Sequence, residues 1–135
     1  MSNNKMDKYY IREKIYSDKN LDKKIKEEVE NYLDNSVLKL YSSSCVSEYS
    51  YNNNFEVVTT EIFEEGYILS DIHIEVDMIV YDYISNNDDY KKERKVLINN
   101  KYFIGFNIRF NLNSDNTIEN VIVRYFNIYA ISKNE

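Results

Sequence analysis

The first sustained pattern along the chain is helical. Leu21, Ile25, Val29, Tyr32 and Leu33 recur at three- and four-residue intervals and so share one face of a helix over 21–34, while Lys23, Lys24, Lys26, Glu27, Glu28 and Glu30 turn to water. Asn20 or Asp18 is placed to cap its start, and Asp22 lies in the first turn near the positive end of the helix dipole. Lys23/Glu27, Lys24/Glu28 and Lys26/Glu30 are spaced four apart in the less favourable Lys-first order, so they add solubility more than stability. A shorter helix over 6–16 precedes it, although Tyr9, Ile11 and Ile15 would also suit a strand.

From Val37 the apolar period drops to two, and Asn, Asp, Ser and Gly punctuate the runs, as expected of antiparallel strands joined by short turns. The runs predict strands over 37–50, 55–64, 67–84, 94–98, 102–112 and 117–131. Turns are expected at Asn52-Asn53-Asn54, Glu65-Gly66, Asn86 to Asp89, Asn99-Asn100 and Asn113 to Asn116. Asn99-Asn100 fits a two-residue hairpin because Asn tolerates the left-handed backbone such turns require. Gly105 inside a strand marks a candidate bulge. The expected architecture is a single α+β domain over 1–135, with N-terminal helices packed on a curved antiparallel meander of five or six strands and with 1–5 and 132–135 frayed. In element order this resembles the cystatin-like and nuclear-transport-factor-like cone folds, a resemblance that implies a curved sheet around a long helix and carries no function with it.

The strand over 67–84 sorts its side chains sharply. Ile68, Ile72, Ile74, Val76, Met78, Val80 and Ile84 fall on one face and Tyr67, Asp71, His73, Glu75, Asp77, Tyr81 and Tyr83 on the other. The second face sets the chain's one histidine between two carboxylates, each about 7 Å away along the strand. In a pocket, His73 would serve as a general base with Asp71 or Glu75 holding its tautomer. The favoured reading is plainer: the row is a sheet face, with its acids opposite Arg109 or Arg124 on neighbouring strands. No catalytic residue is therefore assigned, and His73, Asp71 and Glu75 stand as the weak candidates. Carboxylates two residues apart on a flat strand cannot chelate a metal unaided, Asn111 to Thr117 lacks the glycine and closing glutamate of a calcium loop, and two glycines cannot build a phosphate loop. No metal or cofactor is expected.

In the strand over 117–131, simple alternation puts Val121, Val123, Tyr125, Tyr129 and Ile131 on one side and Ile118, Ile122, Phe126 and Ile128 on the other. A strand apolar on both faces asks for a second cover, so Ile122, Phe126 and Ile128 are the candidate interaction residues.

Composition adjusts this picture in a few places. The chain of 135 residues carries a net charge of −6, which disfavours binding to a phosphate backbone, and its basic run Lys91-Lys92-Glu93-Arg94-Lys95 follows the acidic Asp88-Asp89. The longest apolar-looking stretch, Tyr67 to Ile84, holds four acids and is no membrane span. Cys45, the one cysteine, rules out an internal disulfide and suits a reducing compartment, so a cytoplasmic protein is expected. The richness in Asn, Ile, Lys and Tyr fits a low-GC genome, while the 14 tyrosines offer contact surface. The function expected is a non-catalytic protein-interaction or assembly module that works through its sheet, as a homodimer or against another protein. The alternative is a small-molecule-binding or hydrolase/isomerase-like cone with His73 and its neighbouring carboxylates in a pocket.

Overall fold

A computed structural model describes residues 7–85 and 92–134; the N-terminal segment, the Asn86 to Asp89 turn and Lys91 of the basic run lie outside the described residues. Two helices pack on one face of a five-stranded antiparallel open sheet. The elements in chain order are α1 (Lys8–Ser17), α2 (Lys19–Ser36), a 3-10 turn at Leu38–Leu40, β1 (Cys45–Ser50), β2 (Glu56–Ile62), β3 (Tyr67–Ser85), β4 (Lys92–Leu112) and β5 (Ile118–Lys133).

Each helix starts on an aspartate. The Asp7 carboxylate accepts from the backbone N–H of Tyr10 at 2.8 Å, and that of Asp18 from Leu21 at 2.9 Å, which satisfies donors the first turn leaves open. Asp18 is also the single residue between α1 and α2. The predicted stripe Leu21, Ile25, Val29 and Leu33 is buried, joined by Ile11 and Ile15 of α1. Each such side chain contributes about 1.5–3 kcal/mol by leaving water.

The stripe rests on the long central hairpin of β3 and β4. Ile68, Ile72, Ile74, Val76, Met78 and Val80 of β3 are buried beside Tyr102, Ile104, Phe106, Ile108 and Phe110 of β4. β3 takes β1 along its C-terminal half and β2 along its N-terminal half, on the edge opposite β4. Tyr16 of α1 holds β2 down: it stacks on Phe55 at 5.5 Å, and its hydroxyl accepts from the N–H of Val57 at 2.7 Å. Tyrosines of the β1 segment tie it to α2, since Tyr49 donates to Asp34 and Tyr51 to Glu30. Burial, and then those carboxylate bonds, push both tyrosine pKa values up.

Four expectations need correction. The run over 37–50 becomes a strand only at Cys45, because α2 extends to Ser36, the N–H of Val37 still bonds Leu33, and a 3-10 turn follows. The runs 94–98 and 102–112 are one strand: Asn99 and Asn100 pair with Ile79 and Met78 of β3 in unbroken ladder, so they form no hairpin. The tail is not frayed at 132–134, since Ser132 and Lys133 end β5 and Asn134 is held by Asn99 and by Asp77, its side-chain amide donating to the Asp77 carboxylate at 2.7 Å.

The fourth correction concerns β5, which does not alternate. Its ladder with β4 slips at three places, and each slip sets two β5 residues against one: Glu119-Asn120 against Asn111, Arg124-Tyr125 against Asn107, and Tyr129-Ala130 against Phe103. Asn120 and Tyr125 sit in the left-handed region, at φ 56° and 62°. With five β5 residues matching four of β4, the side facing the helices carries Ile118, Val121, Val123, Phe126 and Ile128, all packed on the core. Phe126 stacks on Tyr32 of α2 at 4.9 Å and on Phe106 at 5.1 Å. The strand therefore has one apolar face for the core and a second, separate set of residues for the outside.

Candidate functional site

Both helices cover the same side of the sheet, so the side facing away from them is the candidate site. Its rows follow from the register. Leu69, Arg109 and Ile122 lie side by side, then Asp71, Asn107 and Arg124, then Glu56, His73, Gly105 and Asn127, then Glu75, Phe103 and Ala130. Asp71, His73 and Glu75 are brought onto this outer face together, as the alternation of β3 requires.

Their surroundings do not form an enclosed pocket. His73 tilts against Tyr129 with ring centres 4.9 Å apart, over Gly105, and the two rings border a hollow of about 100 Å³ with Asn53, Asn54, Glu56 and Glu75. The Asp71 carboxylate is engaged on the other side, accepting from the Thr59 hydroxyl at 2.9 Å, so it does not orient the imidazole. The acids of this row are not paired with Arg109 or Arg124 either, because Arg109 stands opposite Leu69 and Ile122 and Arg124 opposite Asn107. Both guanidinium groups lie over tyrosine rings instead, Arg109 over Tyr67 at 4.0 Å and Arg124 over Tyr125 at 4.7 Å. Burial, followed by the negative fields of Glu75 and Glu56, raises the pKa of the Tyr129 hydroxyl.

The predicted interaction residues divide. Ile122 is on the outer face and 47% exposed, whereas Phe126 and Ile128 point toward the helices and are partly buried. Tyr125, 69% exposed, and Tyr129, 49% exposed, complete the outer apolar set. Alternation missed them because each bulge reverses the phase, and the bulges recur every five residues in the register with β4 without a shared residue type to mark them in the sequence. Cys45, at the start of β1, is half-buried, packs against the core and lies 3.6 Å from the Ser42 hydroxyl. The Asn113 to Thr117 segment is the hairpin turn expected, with the Asn113 side chain accepting from the N–H of Asp115 and of Thr117. No group of metal-binding side chains occurs among the described residues, and no helix there is long and apolar enough to cross a membrane.

Comparison with known proteins adds no relative: no protein-family model matches the chain, and neither a curated protein nor a solved structure does.

Proposed function

We propose that this chain is a non-catalytic protein-interaction module that acts through the outer face of its sheet, with a second copy of itself as the simplest partner. The observation that carries this reading is the exposed set Ile122, Tyr125 and Tyr129 on the face both helices leave bare. Tyrosine supplies large contact area at small entropic cost, and apolar groups gathered on one uncovered surface favour association. Tyr125 adds weight. An aromatic residue held at φ 62° costs about 1–2 kcal/mol relative to extended backbone, and here that conformation delivers the ring to solvent.

The enzyme or ligand-binding alternative, with His73 as base, has less support. A hollow of about 100 Å³ is well below the roughly 300–1,000 Å³ of ordinary ligand pockets, and Asp71 is already occupied by Thr59. The cone-fold analogy stays within the proposal, supported by α2 lying across long, bulged strands, as does a cytoplasmic setting, supported by the unpaired Cys45.

Light scattering tests the reading. Self-association at micromolar concentration should give a mass above the 16.2 kDa of one chain, and Ile122→Asp with Tyr129→Asp should return it to one chain without loss of secondary structure. A wild type that stays monomeric at about 100 μM, where any interface tighter than a Kd near that value would be populated, removes the dimer.

A further inference from the structure

We infer that two copies meet through these faces in an orientation set by charge, with Arg109 and Arg124 of one copy against Glu56 and Glu75 of the other. This rests on the interaction reading above and names the chemistry of the contact. Among the described residues the ion pairs are Lys24–Glu28 and Lys26–Asp22 on α2, and Arg94–Glu48 at the far end of the outer face, where Glu48 stands opposite Ile79; none involves Arg109, Arg124, Glu56 or Glu75. Arg109 and Arg124 therefore have no carboxylate partner among the described residues, and Arg124 also keeps its Nε buried without a hydrogen bond. Glu56 and Glu75 are on the same face, beside His73, and neither carboxylate takes part in a hydrogen bond or ion pair among the described residues.

The two unpaired sets occupy opposite corners. The arginines sit on β4 and β5 in the rows of Leu69 and Asp71, and the glutamates on β2 and β3 in the rows of His73 and Glu75. From the Leu69 row to the Glu75 row is six residues, or about 20 Å. A face with positive and negative corners at that separation is complementary to itself under a two-fold rotation, which is the symmetry of an isologous dimer. The rotation forms each arginine–glutamate contact twice. Such local pairing matters in a chain of net charge −6, whose copies otherwise repel.

Sedimentation equilibrium of the full chain and two charge-reversed variants tests this. R109E/R124E and E56K/E75K should each weaken self-association about tenfold or more, since each sets like charges together twice. Mixed one to one, they should form a heterodimer within about threefold of the wild-type Kd, because one contact is then native and the other is restored with its signs exchanged. The second variant separates this from bulk charge: it brings the net charge from −6 to −2, so general repulsion alone would tighten its dimer, and the charged corners predict the opposite. Should a double variant lose its circular dichroism, Arg109→Glu and Glu75→Lys singly take its place and are read the same way. A wild-type dimer that is indifferent to both reversals, or a mixture no tighter than its parts, overturns the charge-set orientation and leaves the interaction reading standing. A wild-type monomer overturns both.

Discussion

The phase of β5 is open to a direct stability measurement. Strict alternation would place Ile122 and Phe126 on one face, where truncating either would cost a similar amount; the bulges separate them. Phe126 lies between the rings of Tyr32 at 4.9 Å and Phe106 at 5.1 Å, nearly parallel to the first with 15° between planes. Complete burial would make Phe→Ala worth about 3–5 kcal/mol, of which two aromatic contacts supply about 0.5–1.5 kcal/mol each; partial exposure brings the expectation for Phe126→Ala to about 2–3 kcal/mol. Ile122, 47% exposed on the outer face, should lose less than about 1 kcal/mol on truncation to Ala. Urea denaturation in dilute protein, where association contributes nothing, separates the two. With a slope of about 1–3 kcal/mol per molar urea, Phe126→Ala should lower the midpoint by about 1 M, and Ile122→Ala should barely move it. Equal losses at the two positions, or a larger loss at Ile122, would mean that β5 alternates without interruption and that its outer residues are wrongly assigned.

Ile25→Ala, at the centre of the fully buried α2 stripe, should cost about 2–5 kcal/mol by the same assay, and a loss below about 0.5 kcal/mol would put that face in solvent. Stability should fall as the pH rises above 10, the ordinary tyrosine value. Tyr49 and Tyr51 keep their protons in the folded chain where the unfolded chain has released them, so their contribution is complete below that pH and is lost above it. Discounted for partial solvent exposure, the pair should remove about 1 kcal/mol per pH unit, and Y49F/Y51F should flatten the slope; an unchanged slope would refute the assignment. A Cβ on Gly105 would meet His73 and Tyr129 at 3.5 and 3.7 Å, ordinary contact distances, so Gly105→Ala should leave stability unchanged or raise it by up to about 1 kcal/mol; destabilisation beyond 1 kcal/mol would show that the two rings cannot accept it. His73→Gln should leave self-association within about twofold of wild type by sedimentation, and a loss of a measured turnover in that variant would establish the enzyme alternative instead.

The α2 stripe and β3 as far as Val80 were legible because each keeps one period over that length. Leu21, Ile25, Val29 and Leu33 repeat at the helical interval, and the even-numbered residues of β3 from Ile68 to Val80 repeat at the strand interval, so burial could be read from spacing alone. Legibility ended where local chemistry and tertiary pairing disagreed. Asn99-Asn100 has the composition of a turn, but β3 continues past it on one side and β5 reaches Asn100 on the other, so the ladder wins. In β5 the positions of the bulges depend on the path β4 takes beside it, which no single strand's pattern reports. The consequence reaches the candidate site: alternation groups Ile122 with Phe126 and Ile128, whereas the bulges leave Ile122 exposed with Tyr125 and Tyr129 and turn Phe126 and Ile128 to the core.

The five-for-four stagger of β5 also bears on what happens to this chain when it is crowded or newly made. β5 is the last strand of an open sheet, and the free side of such a strand is a template on which a flat partner can nucleate cross-β fibrils. Fibril growth needs an even run of donors and acceptors, whereas this edge is interrupted at Asn120, at Tyr125 and again at Tyr129-Ala130, with two of the interruptions turned into left-handed backbone. An incoming strand would meet only short stretches of regular spacing before losing step. The same irregularity that presents tyrosines on the open face thus guards a chain rich in β-forming residues against amyloid.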